Sequence, residues 1–174
     1  QLMFDTGDVI RVSIGQFYGI EINDFAVTVA KTALWIAESQ MMHETEEIIS
    51  KDLDFLPLKT NAYIKEGNAL RIDWETVVPK EKLNYIMGNP PFVGYAYQTR
   101  EQKEDLAIAT DNVCKNLDYV AGWYFKAAQS MSPPRGHSPE IRTSFVSTNS
   151  ITQGEQVAGV WKPLFDRFNI HIDF

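Results

Sequence analysis

Short apolar runs rich in β-branched and aromatic residues alternate along this chain with longer stretches of helical spacing. That alternation points to an α/β sheet with crossover helices. Strands are predicted at Gln16 to Ile22, Ala62 to Lys65, Leu83 to Met87, Thr143 to Ser147 and Ile170 to Phe174. Asp24 stands where it can cap a helix running through Phe25, Val29, Ala33, Ile36 and Ala37, whose spacing turns one apolar face toward a sheet. A second helix is predicted over Asp118 to Ser130, and a third over Glu155 to Phe168, kinked or broken at Pro163. Thr99 to Asp105 reads as an exposed charged helix, and Lys51 to Thr60 and Ser132 to Arg142 read as surface loops. No internal repeat interrupts this order.

The carboxyl ends of three predicted strands carry candidate chemistry, and ligands of open α/β sheets bind at that side. Leu83 to Met87 runs into Gly88 and then Asn89-Pro90-Pro91-Phe92. Consecutive prolines donate no backbone hydrogen bonds and fix φ, so the chain must leave the sheet here. They also hold their neighbours extended, leaving the Asn89 side chain and the Pro90 carbonyl as two rigid acceptors for the two N–H groups of an exocyclic amine. Phe92 adds an aromatic face for a planar base. The strand Gln16 to Ile22 places Glu21 near its end. A carboxylate there can accept both hydroxyls of a ribose diol while Ile22 packs on an adenine ring; equally, it can cap the following helix or face solvent. After the next strand comes Glu66-Gly67-Asn68-Ala69-Leu70, in which Gly67-Asn68 is also an ordinary turn pair.

Taken in this order, the segments resemble an amino-group DNA methyltransferase of the N6-adenine kind. Asn89 to Phe92 look like that family's motif IV; enzymes that methylate protein glutamines share Asn-Pro-Pro but usually end it in Tyr, so Phe92 tilts toward DNA. Gly67 to Leu70 resemble motif III, with Asn68 where Asp is common; the resemblance implies that Asn68 meets the cofactor adenine and that Leu70 adds apolar contact. Leu117-Asp118-Tyr119-Val120 and Phe145 to Ile151 resemble later motifs of the family. The run Phe145 to Ile151 is similar to type II restriction-modification enzymes that fuse nuclease and methyltransferase in one chain. There, Asn149 is expected to organise the loop beneath the target pocket, or to act as a plain capping or turn asparagine. The resemblance implies S-adenosylmethionine as cofactor, Glu21, Ile22, Asn68 and Leu70 as its contacts, and Asn89, Pro90 and Phe92 as the catalytic group. It also implies a Rossmann-like class I methyltransferase sheet with flanking helices.

That sheet is expected to be incomplete. No Asp-Pro-Ala-Cys-Gly-Ser-Gly-like turn is present, and Asp5-Thr6-Gly7-Asp8 is too short and too early to replace it. The first, central strand and its glycine-rich loop are therefore expected to be missing, which leaves edges open to self-association and predicts that residues 1–174 by themselves are inactive. Gln1 in place of an initiator methionine and a predicted strand ending at Phe174 fit the same expectation: a single-domain, partial methyltransferase catalytic domain without its target-recognition region.

Composition sharpens this. With 174 residues, 44% hydrophobic and 22% charged, the chain suits one soluble domain. No apolar run approaches the roughly 20 residues of a membrane span and no signal peptide opens the chain, so a cytoplasmic protein without membrane contact is expected. Cys114 is the only cysteine, and His43, His137 and His171 are scattered, so no metal site is expected. A net charge of −7 argues against tight DNA binding by this segment alone and implies a basic recognition region outside it. Two rivals remain. Glu101-Gln102-Lys103 matches half of a metal-dependent nuclease motif, without a preceding aspartate between Asp73 and Glu101; and a binding module with a degenerate pocket is the non-catalytic alternative.

Overall fold

Tyr18–Glu21 (β1) and Tyr63–Glu66 (β2) pair in parallel, with Tyr18 opposite Tyr63 and Glu21 opposite Glu66. The computed structural model describes residues 11–49, 61–113, 116–131 and 141–173; the predicted loop at 51–60, residues 132–140 of the loop predicted over Ser132 to Arg142, the segment 5–8 and Phe174 lie outside the described residues, and Arg142 itself already belongs to a strand. The chain divides into two compact units, Gln1–Asn68 and Ala69–Phe174.

In the first unit, β1 and β2 need a crossover between them, as any parallel pair does, and the 26-residue helix α1 (Asp24–Ile49) lies between them in sequence. The Tyr18 and Tyr63 rings stack across the pair at 5.0 Å. β1 starts later than predicted because Ile14–Gln16 forms a 3₁₀ turn, in which the Gln16 side chain accepts the Ser13 N–H. The cap of α1 also moves by one residue: Asn23 Oδ1 accepts the Ala26 N–H at 2.9 Å, and Asp24 is already helical.

The face of α1 is a correction. Phe25 is 73% exposed, and Val29 and Ile36 are exposed with it. The sheltered stripe is Val27, Lys31, Leu34, Glu38 and Met42 instead. Apolar residues lie on both sides of this helix, so spacing alone could not select the packed side.

The second unit holds a second parallel pair, Tyr85–Gly88 (β3) with Arg142–Phe145 (β4), in register from Tyr85 opposite Arg142 to Gly88 opposite Phe145. Its helices are α2 (Arg100–Ala109), α3 (Ala121–Met131) and α4 (Glu155–Phe168). They close on a core of Leu70, Leu106, Leu117, Tyr119, Phe125, Val160 and Leu164. Small residues set the approach of the elements: a Cβ on Gly122 would stand 2.9 Å from both Leu70 methyls, and one on Gly159 would stand 2.6 Å from Leu117 Cδ2.

Four expectations change in this unit. α3 begins at Ala121, because residues 118–120 form a separate turn closed by the Ala121 N–H on the Asp118 carbonyl. α4 runs unbroken through Pro163, where one backbone bond is forgone but Val160 and Leu164 on either side are buried. Residues 169–173 are not a strand: Asn169 ends α4 in the left-handed region at φ 52°, and Ile170 packs against the core. The α2 helix is capped by Thr99 Oγ1, which accepts the Gln102 N–H, while the Gln102 side chain accepts the Thr99 N–H. It is not wholly exposed, however, since Asp105 is 2% exposed and pairs with Arg71 and the Tyr119 hydroxyl.

Candidate functional site

The first unit brings together part of the predicted cofactor set. β1 and β2 end side by side, and the Gly67 N–H bonds the Glu21 carbonyl at 2.8 Å. Gly67 turns the chain at φ 147°, a conformation side-chain-bearing residues rarely adopt, and delivers Asn68 just past the strand end. Glu21 Oε1 accepts the Asn23 N–H at 3.0 Å, which holds the carboxylate at the mouth of the strand. Ile22 is 69% exposed and offers an apolar surface beside it. Leu70 belongs to the second unit and is 0% exposed, enclosed by the core.

The second unit carries the Asn-Pro-Pro-Phe segment at the end of β3. The last ladder bond runs from the Val146 N–H to the Gly88 carbonyl at 3.0 Å, after which the prolines end the strand as their chemistry requires. Pro90 is buried, whereas Asn89, Pro91 and Phe92 are exposed. The Asn89 side chain makes no hydrogen bond among the described residues. Beyond Phe92 a tight turn is closed by the Val93 N–H on the Pro91 carbonyl at 3.2 Å. An amide oxygen on a rigid, outward segment next to an aromatic ring can receive an amine and hold a flat ring beside it.

What anchors this segment was not legible in the sequence. The Val93 carbonyl accepts the Tyr119 N–H at 2.9 Å. Gln98, itself buried, donates from Nε2 to the Leu117 carbonyl at 2.8 Å and to the Val93 carbonyl at 3.4 Å. Asp118 accepts the Tyr95 N–H on Oδ1 at 3.1 Å and the Ser150 hydroxyl on Oδ2 at 2.7 Å. Its own N–H is received by Gln156 Oε1 at 3.0 Å, while Gln156 Nε2 donates to the Asn116 carbonyl.

After β4, the turn Asn149–Thr152 is held by the Thr152 hydroxyl on the Asn149 carbonyl, and Trp161 Nε1 donates to the Ile151 carbonyl. Asn149 is exposed. Tyr124 sits edge-on to both Phe145 and Trp161; burial raises its pKa above the ordinary tyrosine value of 10.0, with a hydrogen bond to Ser147 acting the other way. Glu101 and Lys103 lie in the first turn of α2, and the Lys103 ammonium stands over the Tyr95 ring at 4.5 Å. Among the described residues no three His, Cys, Asp or Glu side chains gather in a way that could hold a metal ion.

Parallel strand pairs flanked by helices put the chain in the α/β class. The chain belongs to the family described as MmeI, DNA-methyltransferase domain, which it matches over residues 3–174. It is 42% identical over 171 residues to DNA methyltransferase A of Bacillus subtilis (strain 168), covering 95% of this chain and 19% of that protein. It also resembles the solved structure of the type IIL restriction-modification enzyme MmeI in complex with DNA, at a TM-score of 0.83 and 41% identity, covering 95% of this chain and 22% of that one. The chain thus spans about a fifth of the length of these relatives.

Proposed function

We propose that this chain is the catalytic part of a DNA methyltransferase that moves a methyl group from S-adenosylmethionine to the N6 amino group of adenine, within a restriction-modification system. The observation that carries the reading is the outward Asn89 amide on a proline-stiffened segment at the end of a parallel strand, with Phe92 half exposed beside it. DNA is the partner in the solved relative's complex, and the same partner is proposed here.

The residues present fit the adenosine end of the cofactor: Glu21 offers a carboxylate for the ribose diol, exposed Ile22 an adenine-packing surface, and Asn68 an amide for the adenine edge. When bound, the cofactor supplies an electrophilic methyl on sulfonium. The chain's own part is to position the acceptor. Asn89 Oδ1 and the Pro90 carbonyl accept the two amino protons of a base flipped out of the duplex, which turns the nitrogen lone pair out of conjugation with the ring. Phe92 stacks on the base and keeps its plane fixed. Residues 1–174 include no glycine-rich turn for the methionine end, so the chain by itself is expected not to turn over.

The test is methyl transfer from labelled S-adenosylmethionine to unmethylated DNA by the intact protein that carries this chain, followed by digestion to nucleosides. Label in N6-methyladenine supports the reading. Label in N4-methylcytosine moves the acceptor, and label in protein but not in DNA moves the assignment to glutamine methylation.

A further inference from the structure

We propose that Asp118 is a positioning residue for the transfer step, clasping the turn that follows Asn-Pro-Pro-Phe to the turn that follows β4. This rests on the reading of Asn89 and the Pro90 carbonyl as the acceptors of the amine. Three residues past Phe92, the Tyr95 backbone N–H lies 3.1 Å from Asp118 Oδ1, and the Ser150 hydroxyl lies 2.7 Å from Oδ2. Ser150 Oγ also shares a 2.7 Å hydrogen bond with Thr148 Oγ1, so the second arm holds two side chains of the β4 turn. Asp118 thus hydrogen-bonds both turns through its two carboxylate oxygens.

A carboxylate suits this place because it presents two acceptor oxygens side by side, enough to receive a backbone N–H and a hydroxyl from different segments. The clasp acts on the backbone of Tyr95, so it fixes the path of the chain whatever ring follows. It is itself held: the Asp118 N–H is anchored by Gln156 of α4, and the flanking Leu117 is fully buried against Gly159. The other end of the loop is fixed through Val93, by the Tyr119 N–H and Gln98 Nε2. With both ends fixed, Asn89, Pro90 and Phe92 have a defined frame before any ligand arrives. Release of one arm lets that frame drift, and displacement of about 1 Å in reacting geometry costs on the order of 100-fold in rate.

The experiment compares Asp118→Ala, Asp118→Asn and Ser150→Ala in the intact protein, with kcat and the cofactor KM normalised to folded, cofactor-binding sites. Asp118→Ala is expected to lower kcat by about 10- to 100-fold with the cofactor KM unchanged. Asp118→Asn is expected to recover most of it, because its amide oxygen still accepts the Tyr95 N–H and its NH₂ donates to Ser150 Oγ. Ser150→Ala should fall between the two. An Asn variant as impaired as Ala, or a loss accounted for by fewer folded sites, overturns the clasp. If Asp118→Ala does not fold, an unchanged kcat in Ser150→Ala overturns it instead. Hydrogen exchange at the Tyr95 amide needs no turnover: it should accelerate in Ser150→Ala and more in Asp118→Ala, and exchange as slow as in the unsubstituted protein in both overturns the clasp whatever the substrate. If the unsubstituted protein methylates an amine other than adenine N6, the adenine reading falls while the clasp is measured on that amine. If adenine is methylated and the variants match the unsubstituted protein, the clasp falls and the adenine reading stands.

Discussion

The Tyr119 hydroxyl donates to the buried Asp105 carboxylate at 2.9 Å, with Arg71 on the other carboxylate oxygen. One acidic side chain from α2 thereby joins the turn ahead of α3 to the chain that enters the second unit next to Leu70. A buried carboxylate deprived of a donor is costly, whereas the phenyl ring of a Tyr119→Phe variant keeps its edge-on contact with Trp123. Tyr119→Phe should destabilise the fold by about 1–3 kcal/mol, read as a lower urea midpoint with an unchanged slope. An unshifted midpoint would show that the hydroxyl contributes nothing there.

Gly159 tests the packing of α4. Alanine at an exposed helix interior gains about 1 kcal/mol over glycine, but here the new methyl would meet Leu117 Cδ2 at 2.6 Å, and Leu117 is fully buried. Overpacking of about 1–3 kcal/mol should win, so Gly159→Ala is expected to lower the Tm. A rise in Tm would mean that Leu117 can move aside.

Asn89→Ala in the intact protein should reduce methyl transfer by about 100-fold or more, since a donor or acceptor aimed at the reacting centre is commonly worth that much. Cofactor binding, measured by calorimetry, should barely change. Retained turnover would remove Asn89 from the mechanism.

Stability at alkaline pH should depend on Tyr124. Its pKa in the folded chain lies above the ordinary 10.0, chiefly through burial. The folded state therefore holds that proton more tightly than the unfolded chain does. The contribution is fully present below pH 10 and is lost as pH rises through the folded pKa. Tyr124→Phe should flatten the fall in Tm above pH 10 relative to the unsubstituted protein, and parallel Tm curves for the two would contradict the assignment.

Each described sheet has only two strands, so each strand has an edge without a ladder partner among the described residues. Such edges template pairing between chains. The chain expressed by itself is expected to self-associate in a concentration-dependent way, to be read by light scattering after size exclusion; a monomer across the accessible range would show that the edges are covered.

Much of this protein could be read from local chemistry. The prolines at 90 and 91 dictate where β3 ends, Gly67 where the chain turns after β2, and Thr99 with Gln102 where α2 starts, because each acts through its own backbone or an i, i+3 neighbour. Four strands and the place of Asn89 at a strand end followed from that. Tertiary structure alone decided which side of α1 is sheltered, that Leu70 lies in the core and that Ile170 starts no strand, since each depends on surfaces distant in sequence. The same holds for Asp118. Its two partners lie 23 and 32 residues away on opposite sides in sequence, and no periodicity or composition signals that a carboxylate with two acceptors will be shared between them until the chain has folded.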